Sequence, residues 1–408
     1  MAGSWKKNTA LFLTSQTLSL LGSSLVQYAI LWYITLETKS GIMMTISIIC
    51  GFVPSFFLSP FAGVWADRYD RKKLIMLSDA GIASVTLVLA VMFMLGYRAL
   101  WPLFVISAVR SVGSAIQMPA VGAFLPQIVP QEKLLRVNGI NASIQSAMMI
   151  VSPALSGAIL TMSDIVPIFF IDVLTAVSAV LTLLLFLHVP VHAKAAVKQD
   201  VGYFEDLRLG FRYIDTHRFL KKFFAFMAVF MFLIAPVAFL TPLQVVRSFG
   251  SDVWRLTMIE IVFSVGMMLG GILIASWGGF RNRTYTMFVS TLLVGLSTLA
   301  LGIVGDFAVY LAFMGIAGVT IPVFNTPATV VLQEKVEGDY MGRVFGVVSM
   351  ISSSMMPLGM LVFGPLADRF RIEWMLIATG ILIFVEGFML IGTRELKEAG
   401  EPQRAGEI

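Results

Sequence analysis

The sequence is poor in the residues from which enzymes build metal and redox sites. Its 408 residues include one cysteine, Cys50, and three histidines, His188, His192 and His217. A single cysteine excludes an intrachain disulfide, and no cysteine stands at zinc-site spacing from a histidine. The dipeptide Gly-Lys never occurs, so there is no ATP-binding P-loop. We therefore expect no metal, no cofactor and no enzymatic activity.

Charged residues are also scarce. Only 13% of the residues are Asp, Glu, Lys or Arg, whereas 58% are hydrophobic and the mean hydropathy is +0.87. An average soluble domain has about 25% charged residues. A lipid bilayer must therefore solvate much of the surface. The net charge of +5 comes from basic residues spread over loops, which argues against a nucleic-acid partner.

Hydrophobic runs long enough to cross a bilayer recur along the whole chain. About 20 apolar residues suffice for a membrane-spanning helix. We predict an all-α membrane protein with twelve transmembrane helices, near residues 10–36, 42–65, 74–96, 101–124, 138–161, 165–188, 222–246, 255–277, 285–304, 307–332, 343–366 and 374–393. The first run is too long for a signal-peptide core, so we expect it to be a retained helix.

The distribution of Lys and Arg predicts the orientation. If the N-terminus is cytosolic, most of the 29 basic residues lie in cytosolic loops, and Arg110 lies within a segment. The outer side then has only Lys39, Arg98, Arg247, Arg255, Arg369 and Arg371. Cytosolic loops of membrane proteins are enriched in Lys and Arg. Both termini are therefore predicted to be cytosolic.

The longest loop, 189–221, divides the chain into two six-helix bundles, 1–188 and 222–393, followed by a cytosolic tail, 394–408. Apolar residues of this loop recur at helical spacing, which predicts an amphipathic interfacial helix. A solvated linker helix without a regulatory role is the alternative. The stretch 136–139 also matches 343–346, as expected of transporters with duplicated halves and a site between them.

The loop 63–73 contains most of the charge between the second and third segments. It reads Gly-Val-Trp-Ala-Asp-Arg-Tyr-Asp-Arg-Lys-Lys. It resembles the loop between helices 2 and 3 of the major facilitator superfamily, Gly-x-Leu-Ala-Asp-Arg-x-Gly-Arg-(Lys/Arg). The resemblance covers essentially the whole chain and implies a secondary transporter with the major facilitator fold, two pseudo-symmetric six-helix bundles in a bacterial plasma membrane.

The same resemblance implies a conformational latch. In the family, the aspartate matching Asp67 lies near the start of helix 11 and helps to close the cytosolic side; here that helix would begin near Gly342. The residues that match the motif are Gly63, Asp67, Arg68, Arg71 and Lys72. Asp70 replaces the usual glycine and adds a carboxylate for an ion pair. The alternative is that these charges only set the topology.

Arg110 lies about ten residues into the fourth segment, where an unpaired charge costs at least about 2.5 kcal/mol. The stretch 103–113 resembles a second motif of the family, whose arginine is linked to proton coupling. The membrane acids Asp172, Glu260 and Glu386 are candidate partners, and Asp79 lies near the inner end of the third segment. We rank Arg110, Glu260 and Asp172 above Glu386. A purely structural ion pair is the alternative.

The fifth segment ends in a degraded form of the family's exporter motif, Gly-Pro-x-x-Gly-Gly, with Ser152 and Ser156 replacing glycines. The match favours export, although small residues also permit close helix packing. By analogy with the family, the substrate cavity would involve helices 1, 4, 7 and 10. Polar and aromatic candidates for its wall, including two from helix 5, are Gln16, Gln27, Tyr28, Trp32, Asn141, Gln145 and Asn325. Each of them could instead face lipid or the core.

Within the superfamily, the chain resembles the drug:proton antiporters of the bacterial macrolide-efflux branch. The supporting stretches are 63–73, 171–174, Glu260 with 266–271, and 333–335 leading to 342–345. The 32 Phe and 24 Met suit an adaptable pocket for bulky amphiphiles. The resemblance implies a monomer that exports amphipathic compounds, such as macrolides, in exchange for protons. A same-fold carrier that exports a siderophore or a lysolipid, or imports by symport, remains an alternative, as does a non-transporting sensor or assembly partner.

Overall fold

The computed structural model describes residues 4–187 and 203–401, and within these ranges all regular structure is helical. The side chains of 203–207, Pro60, Asp67, Gly210, Phe211 and Asp339 are outside the description. The helices are α1 Ser4–Thr38, α2 Gly41–Arg68, α3 Arg71–Met94, α4 Trp101–Ile128, α5 Gln131–Met162, α6 Val166–Phe186, α7 Tyr203–Thr216, α8 Arg218–Leu233, α9 Ala235–Phe239, α10 Thr241–Ser248, α11 Val253–Trp277, α12 Arg283–Ile303, α13 Phe307–Lys335, α14 Gly338–Arg369, α15 Ile372–Gly392 and α16 Arg394–Ala399.

Eleven helices among the described residues are long and apolar enough to cross a membrane. They correspond to eleven of the twelve predicted segments. The seventh segment, 222–246, is instead divided over α8, α9 and α10. Pro236 and Pro242 lie in the first turns of α9 and α10. A proline has no amide hydrogen to donate to the preceding turn, which favours a break in the helix at each of these positions.

The first compact unit comprises residues 1–38 and 46–199 and is called unit 1. Helix α1 packs against α4, α5 and α6, and α3 packs against α4 and α6. At one end of this bundle, Phe12 and Phe124 are buried with their ring centroids 4.9 Å apart. The polar side chains that project from α1, α3, α4 and α6 are therefore enclosed by helices on several sides.

The second compact unit, unit 2, comprises residues 39–45 and 200–408. Helices α11 and α13 pack closely because glycines line their contact. A Cβ on Gly266 or Gly318 would meet backbone atoms of the facing helix at 3.2 Å, which is tighter than most real contacts. In the interior, Phe226 and Phe230 of α8 stack on Phe324 of α13.

The chain passes between the two units within α2 and in the central loop. The first turn of α2 belongs to unit 2, and the helix continues in unit 1 from Ile46. In the central loop, residues 189–202, which include His192, are outside the described part of the chain, as is His188. The predicted amphipathic helix corresponds to α7, where Tyr213 and Ile214 are buried.

Candidate functional site

Arg110 of α4 and Asp172 of α6 form a buried ion pair inside unit 1. Arg110 Nη1 lies 2.5 Å from Asp172 Oδ2, and the Asp172 side chain is 1% exposed. Arg110 also donates to the Thr86 hydroxyl on α3 and to the Ser23 carbonyl oxygen on α1. Side chains and backbone of four helices thus meet around one guanidinium, and the pairing offsets the cost of placing a charge at this depth.

Asp79 of α3 provides a second buried carboxylate in the same bundle. Its Oδ1 accepts hydrogen bonds of 2.6 Å from Ser19 on α1 and from Gln117 on α4. Its Oδ2 is buried and has no hydrogen-bond partner within the described residues. The two oxygens of this carboxylate are therefore inequivalent, and Oδ2 is the atom at which a proton can add without displacing a hydrogen bond.

The spacing of two serines on α1 explains why this helix donates hydrogen bonds to both carboxylates. Ser19 and Ser23 are four residues apart, so both hydroxyls lie on one face of the helix. Ser19 donates to Asp79, and Ser23 donates to Asp172 Oδ1 at 3.4 Å. Gly22 lets α1 approach α6, because a Cβ there would lie 2.8 Å from the Asp172 Cα.

The structure brings Arg110 together with Asp172, one of the three membrane acids that the sequence offered as its partner. Glu260 and Glu386 belong to unit 2. Glu260 is half-buried on α11, and Glu386 is buried on α15 with both carboxylate oxygens unpartnered among the described residues. A role for any of the four in proton coupling stays a prediction.

Sequence reasoning did not select Ser19, Ser23, Thr86 or Gln117. A signal was present in α1, where Ser15, Ser19 and Ser23 recur every four residues within an apolar helix. Thr86 lies seven residues after Asp79, two helical turns along the same face of α3. Such polar stripes in an apolar helix indicate a face that is turned toward other helices.

Three predicted cavity residues line one small pocket of unit 1. Gln27 and Tyr28 of α1 and Gln145 of α5 surround a volume of about 210 Å³, together with Ser24 and Met148. Its walls combine amide and hydroxyl groups with apolar surface, as small-molecule sites commonly do. The pocket is small for a macrolide, so it is a contact region rather than a complete site.

The other cavity candidates lie elsewhere. Trp32 is fully buried beside Tyr28, with ring centroids 5.6 Å apart and its Nε1 unpartnered among the described residues. Gln16 is partly buried on α1, and Asn141 is partly buried on α5. Asn325 is exposed on α13 in unit 2. Their contribution to a substrate cavity stays a prediction.

The basic residues of loop 63–73 cap helix ends. Arg71 donates to the carbonyl oxygens of Ala66 and Ala123, near the ends of α2 and α4. Lys72 Nζ donates to the Leu187 carbonyl oxygen at 2.7 Å, directly after α6. Ala66 and Leu187 lie at helix C-termini, where carbonyl groups lack helical partners and the helix dipole favours cations. Arg71 and Lys72 fix the loop to the bundle, beyond any role in membrane topology.

The two acidic residues of this loop lie at different helix ends, Asp67 in α2 and Asp70 before α3. Asp70 is the N-cap of α3 and accepts from the backbone N–H groups of Lys72 and Lys73, so its carboxylate serves the helix start. Its use in an ion pair stays a prediction. The backbone of Asp67 lies in the last turn of α2, and its side chain is outside the description. Gly63 and Arg68 belong to the same helix end. The latch role of these residues stays a prediction.

The end of the fifth predicted segment packs tightly on α1. Ser152 and Ser156 are both fully buried, and Ser156 Oγ donates to the Leu25 carbonyl oxygen at 3.2 Å. The serines that replace the motif glycines therefore serve close helix packing. Export through this motif stays a prediction.

Comparison with known proteins places this geometry in context. The family model of the Major Facilitator Superfamily matches residues 12–360. Macrolide efflux protein A of Streptococcus pyogenes is 29% identical over 381 residues, which cover 93% of this chain and 94% of that protein. The staphyloferrin A transporter of Staphylococcus aureus is 23% identical, covering 89% of this chain and 90% of that protein.

Solved structures share the fold at low sequence identity. A bacterial homologue of the human lysosomal transporter Spinster, in an inward-facing and unoccupied conformation, superposes with a TM-score of 0.73 at 12% identity and covers 98% of this chain and 99% of its own. A POT family transporter in complex with a thioalcohol-conjugated peptide gives 0.73 at 13% identity, covering 94% of this chain and 95% of its own.

Proposed function

The chain belongs to the Major Facilitator Superfamily, and on this basis we propose that it exports amphipathic, drug-like compounds in exchange for protons. Members of this family are multi-pass membrane transporters and not enzymes. The proposed setting is a bacterial plasma membrane with both termini in the cytosol, as the distribution of basic residues predicts. Macrolides are the proposed substrate class, because the macrolide efflux proteins are similar over nearly the whole chain.

The observation that carries the proton-coupling part is the Arg110–Asp172 pair with Asp79 in the same bundle. A protein that exchanges protons needs a buried carboxylate that gains and loses one during the cycle. Asp172 pairs with Arg110, whereas Asp79 Oδ2 has no hydrogen-bond partner among the described residues and can accept a proton.

In the proposed cycle, a proton that enters unit 1 adds to Asp79 or Asp172. Protonation of Asp172 weakens its attraction to Arg110 and frees that guanidinium, which also contacts α1 and α3. Breaking a buried pair in this way costs several kcal/mol. A proton crossing 100 mV supplies about 2.3 kcal/mol, and a pH gradient adds to it. The pair is therefore of the right strength to be opened and closed by the proton gradient.

Substrate contact is proposed at the pocket of Gln27, Tyr28 and Gln145. Its two methionines, Met148 and Met149, adapt to irregular apolar surfaces. The inner end of the molecule is proposed to close through Asp67, at the end of α2, acting on the start of α14. The helix dipole stabilises a carboxylate near a helix N-terminus by a few tenths to about 2 kcal/mol. Such a contact is weak enough to be broken and formed again in each transport cycle.

The test is proton movement in proteoliposomes under an imposed pH gradient, with a panel of macrolides and other amphiphiles. We expect substrate addition to release or take up protons with the wild-type protein. Asp172→Asn keeps the side-chain shape and removes the titratable group, so we expect proton flux to be lost while radiolabelled substrate still binds.

Asp164→Asn is the matched control. Asp164 is also an acid of unit 1 that pairs with an arginine, Arg98, but both side chains are substantially exposed. We expect it to retain proton flux. Equal loss in both variants, or full flux in Asp172→Asn, would reject the coupling role. Substrate transport without any proton flux would reject antiport altogether.

A siderophore is a second candidate substrate class, which the similarity to the staphyloferrin A transporter supports. Siderophores are more polar and more acidic than macrolides. The same panel should therefore include a carboxylate siderophore. Transport of the siderophore alone would replace the macrolide proposal, and the direction of the accompanying proton flux would separate export from symport.

A further inference from the structure

The first turn of α2 is held by a side chain from the far end of the chain. Asp368 lies in the last turn of α14 and accepts from the backbone N–H of Gly41 at 2.7 Å and of Ile42 at 3.0 Å. Its Oδ2 also accepts from the Ser40 hydroxyl at 2.6 Å. Asp368 thus caps an N-terminus more than three hundred residues away, where N–H groups otherwise lack partners.

Arg247 of α10 completes this contact. Its Nη2 lies 2.9 Å from Asp368 Oδ1, and its guanidinium donates to the carbonyl oxygens of Lys39 and Ala367. Lys39 has a φ of +48°, which a residue with a side chain seldom adopts. Arg247 therefore binds the strained residue between α1 and α2 and the carboxylate that caps α2.

The two helices touch closely at this point. A Cβ on Gly41 would lie 2.9 Å from the Ala367 Cβ, and a Cβ on Gly364 would lie 3.0 Å from the Thr45 Cβ. The Thr45 side chain is buried here and donates to the Met360 carbonyl oxygen at 3.1 Å. Gly41 and Gly364 thus allow α2 and α14 to approach closely, and Asp368 and Arg247 lie at the end of this contact.

The sequence around Asp368 repeats that around Asp67, which belongs to the predicted latch on the cytosolic side, called the inner latch below. Residues 63–69 read Gly-Val-Trp-Ala-Asp-Arg-Tyr, and residues 364–370 read Gly-Pro-Leu-Ala-Asp-Arg-Phe. Both copies close a long helix, α2 and α14 respectively. In both, an arginine donates to the alanine carbonyl oxygen: Arg71, five residues further along the chain, to Ala66, and Arg247 of α10 to Ala367. The similarity therefore extends from the residues to their contacts.

The two copies are related reciprocally. The aspartate at the end of α2 is proposed to act on the start of α14, and the aspartate at the end of α14 caps the start of α2. Helix α2 has 28 residues, so its ends are about 42 Å apart. That distance spans a bilayer, and the second copy therefore lies on the opposite side of the membrane from the first.

We propose that Asp368, Arg247 and the first turn of α2 form an outer latch, which is closed in this structure and opens when the protein releases its substrate outside. The contact is suited to opening because it is polar and partly solvated, with the Arg247 and Asp368 side chains 30% and 21% exposed. The outer latch rests on the proposed function as an exporter that works by alternating access, in which the inner and outer sides of the protein open in turn. It does not rest on the substrate or the coupling ion.

The test measures opening directly, without transport. In a Cys50→Ser background, Thr45→Cys places the single thiol beneath the closed contact. Its reaction with a membrane-impermeant maleimide is followed in intact cells, where the reagent reaches only the outer side. We expect Asp368→Asn to speed this reaction at least about tenfold, because it removes the charge on which four hydrogen bonds converge.

Arg247→Gln is the second variant and should speed the reaction similarly, because it leaves Asp368 in place without its cation. Asp252→Asn is the control, since Asp252 pairs with Arg255 in the same unit and should leave the rate unchanged. Arg98→Cys, on the predicted outer side and outside the latch, has an exposed side chain and reports equal access of the reagent to every variant.

The proposal is overturned if neither Asp368→Asn nor Arg247→Gln changes the Thr45→Cys rate, or if Asp252→Asn changes it equally. It is also overturned if Thr45→Cys reacts as fast as Arg98→Cys while Asp368 and Arg247 are both unchanged. Failure of macrolide export in proteoliposomes would leave this readout intact, so the two proposals fail separately.

Discussion

Tyr213 of the linker helix stacks on Tyr340 of α14, with ring centroids 4.2 Å apart and an interplanar angle of 14°. Its hydroxyl also accepts a hydrogen bond from the Glu337 backbone N–H at 3.3 Å, directly before α14. The linker helix is therefore fastened to the start of the helix on which the inner latch is proposed to act. This contact favours a positioning role for α7 over that of a freely solvated linker.

Tyr213→Ala should release α7 from α14. Stacking of this kind contributes about 0.5–1.5 kcal/mol, so we expect the detached population to rise up to about tenfold. Trypsin cleavage at Arg208 and Arg212, whose side chains are exposed, would measure it. Tyr213→Phe is the control, because it keeps the ring and loses only the hydroxyl; cleavage equal to that of Tyr213→Ala would contradict the role of stacking.

Gly270→Ala should destabilise unit 2. A Cβ at Gly270 would overlap the Val319 carbonyl oxygen and lie 2.8 Å from Pro322 Cγ, forcing α11 away from α13. Overpacking of this kind costs about 1–3 kcal/mol, and thermal unfolding in detergent would measure it. Gly271→Ala is the neighbouring control, since a Cβ there has nothing within 4 Å, and it should gain up to about 1 kcal/mol from higher helix propensity. Equal effects at the two positions would refute this reading.

Asp79→Asn should uncouple transport from the pH gradient. The amide oxygen can still accept from Ser19 and Gln117, while the NH₂ group replaces the oxygen that would take up a proton. We expect uptake of radiolabelled substrate into inverted vesicles to become independent of the imposed gradient, with substrate binding retained. A gradient dependence equal to that of the wild type would remove Asp79 from the coupling site.

Asp67→Asn and Asp70→Ala should affect different properties: the first should reduce transport, and the second should reduce stability. Asp70 caps α3, so Asp70→Ala should lower the free energy of unfolding by about 0.5–2 kcal/mol. Asp67→Asn should instead reduce substrate transport while the thermal unfolding temperature stays at the wild-type value. Normal transport by Asp67→Asn would refute the inner latch.

The helices could be predicted from sequence because each membrane-spanning segment is itself a continuous run of apolar residues. Runs of apolar residues locate the spans, and Gly305 with Asp306 suffices to separate α12 from α13. The break in the seventh segment is harder to predict, because membrane helices often tolerate a proline such as Pro236 without ending. Whether a proline bends or ends a helix depends on the neighbours that its freed carbonyl groups find.

The site was less predictable because its contacts join distant parts of the chain. Arg110 required a carboxylate on grounds of charge, but several acids satisfied that requirement, and only packing of α4 against its neighbours selects Asp172. The hydroxyls of Ser19 and Ser23 are unremarkable in composition and become informative through helical spacing. Asp368 and Gly41 meet only because two helix ends are adjacent in space.

The interrupted segment formed by α8, α9 and α10 bears on how the protein is made. Short helices with Pro236 and Pro242 in their first turns leave backbone carbonyl groups exposed to lipid unless another helix covers them. Gly359 of α14 supplies such cover, because its missing Cβ would lie 2.5 Å from the Ala235 Cβ and 2.8 Å from the Phe232 carbonyl oxygen. The ribosome makes α14 about a hundred residues after α8. The seventh segment therefore reaches its final structure only late in synthesis, after the membrane has received most of the chain.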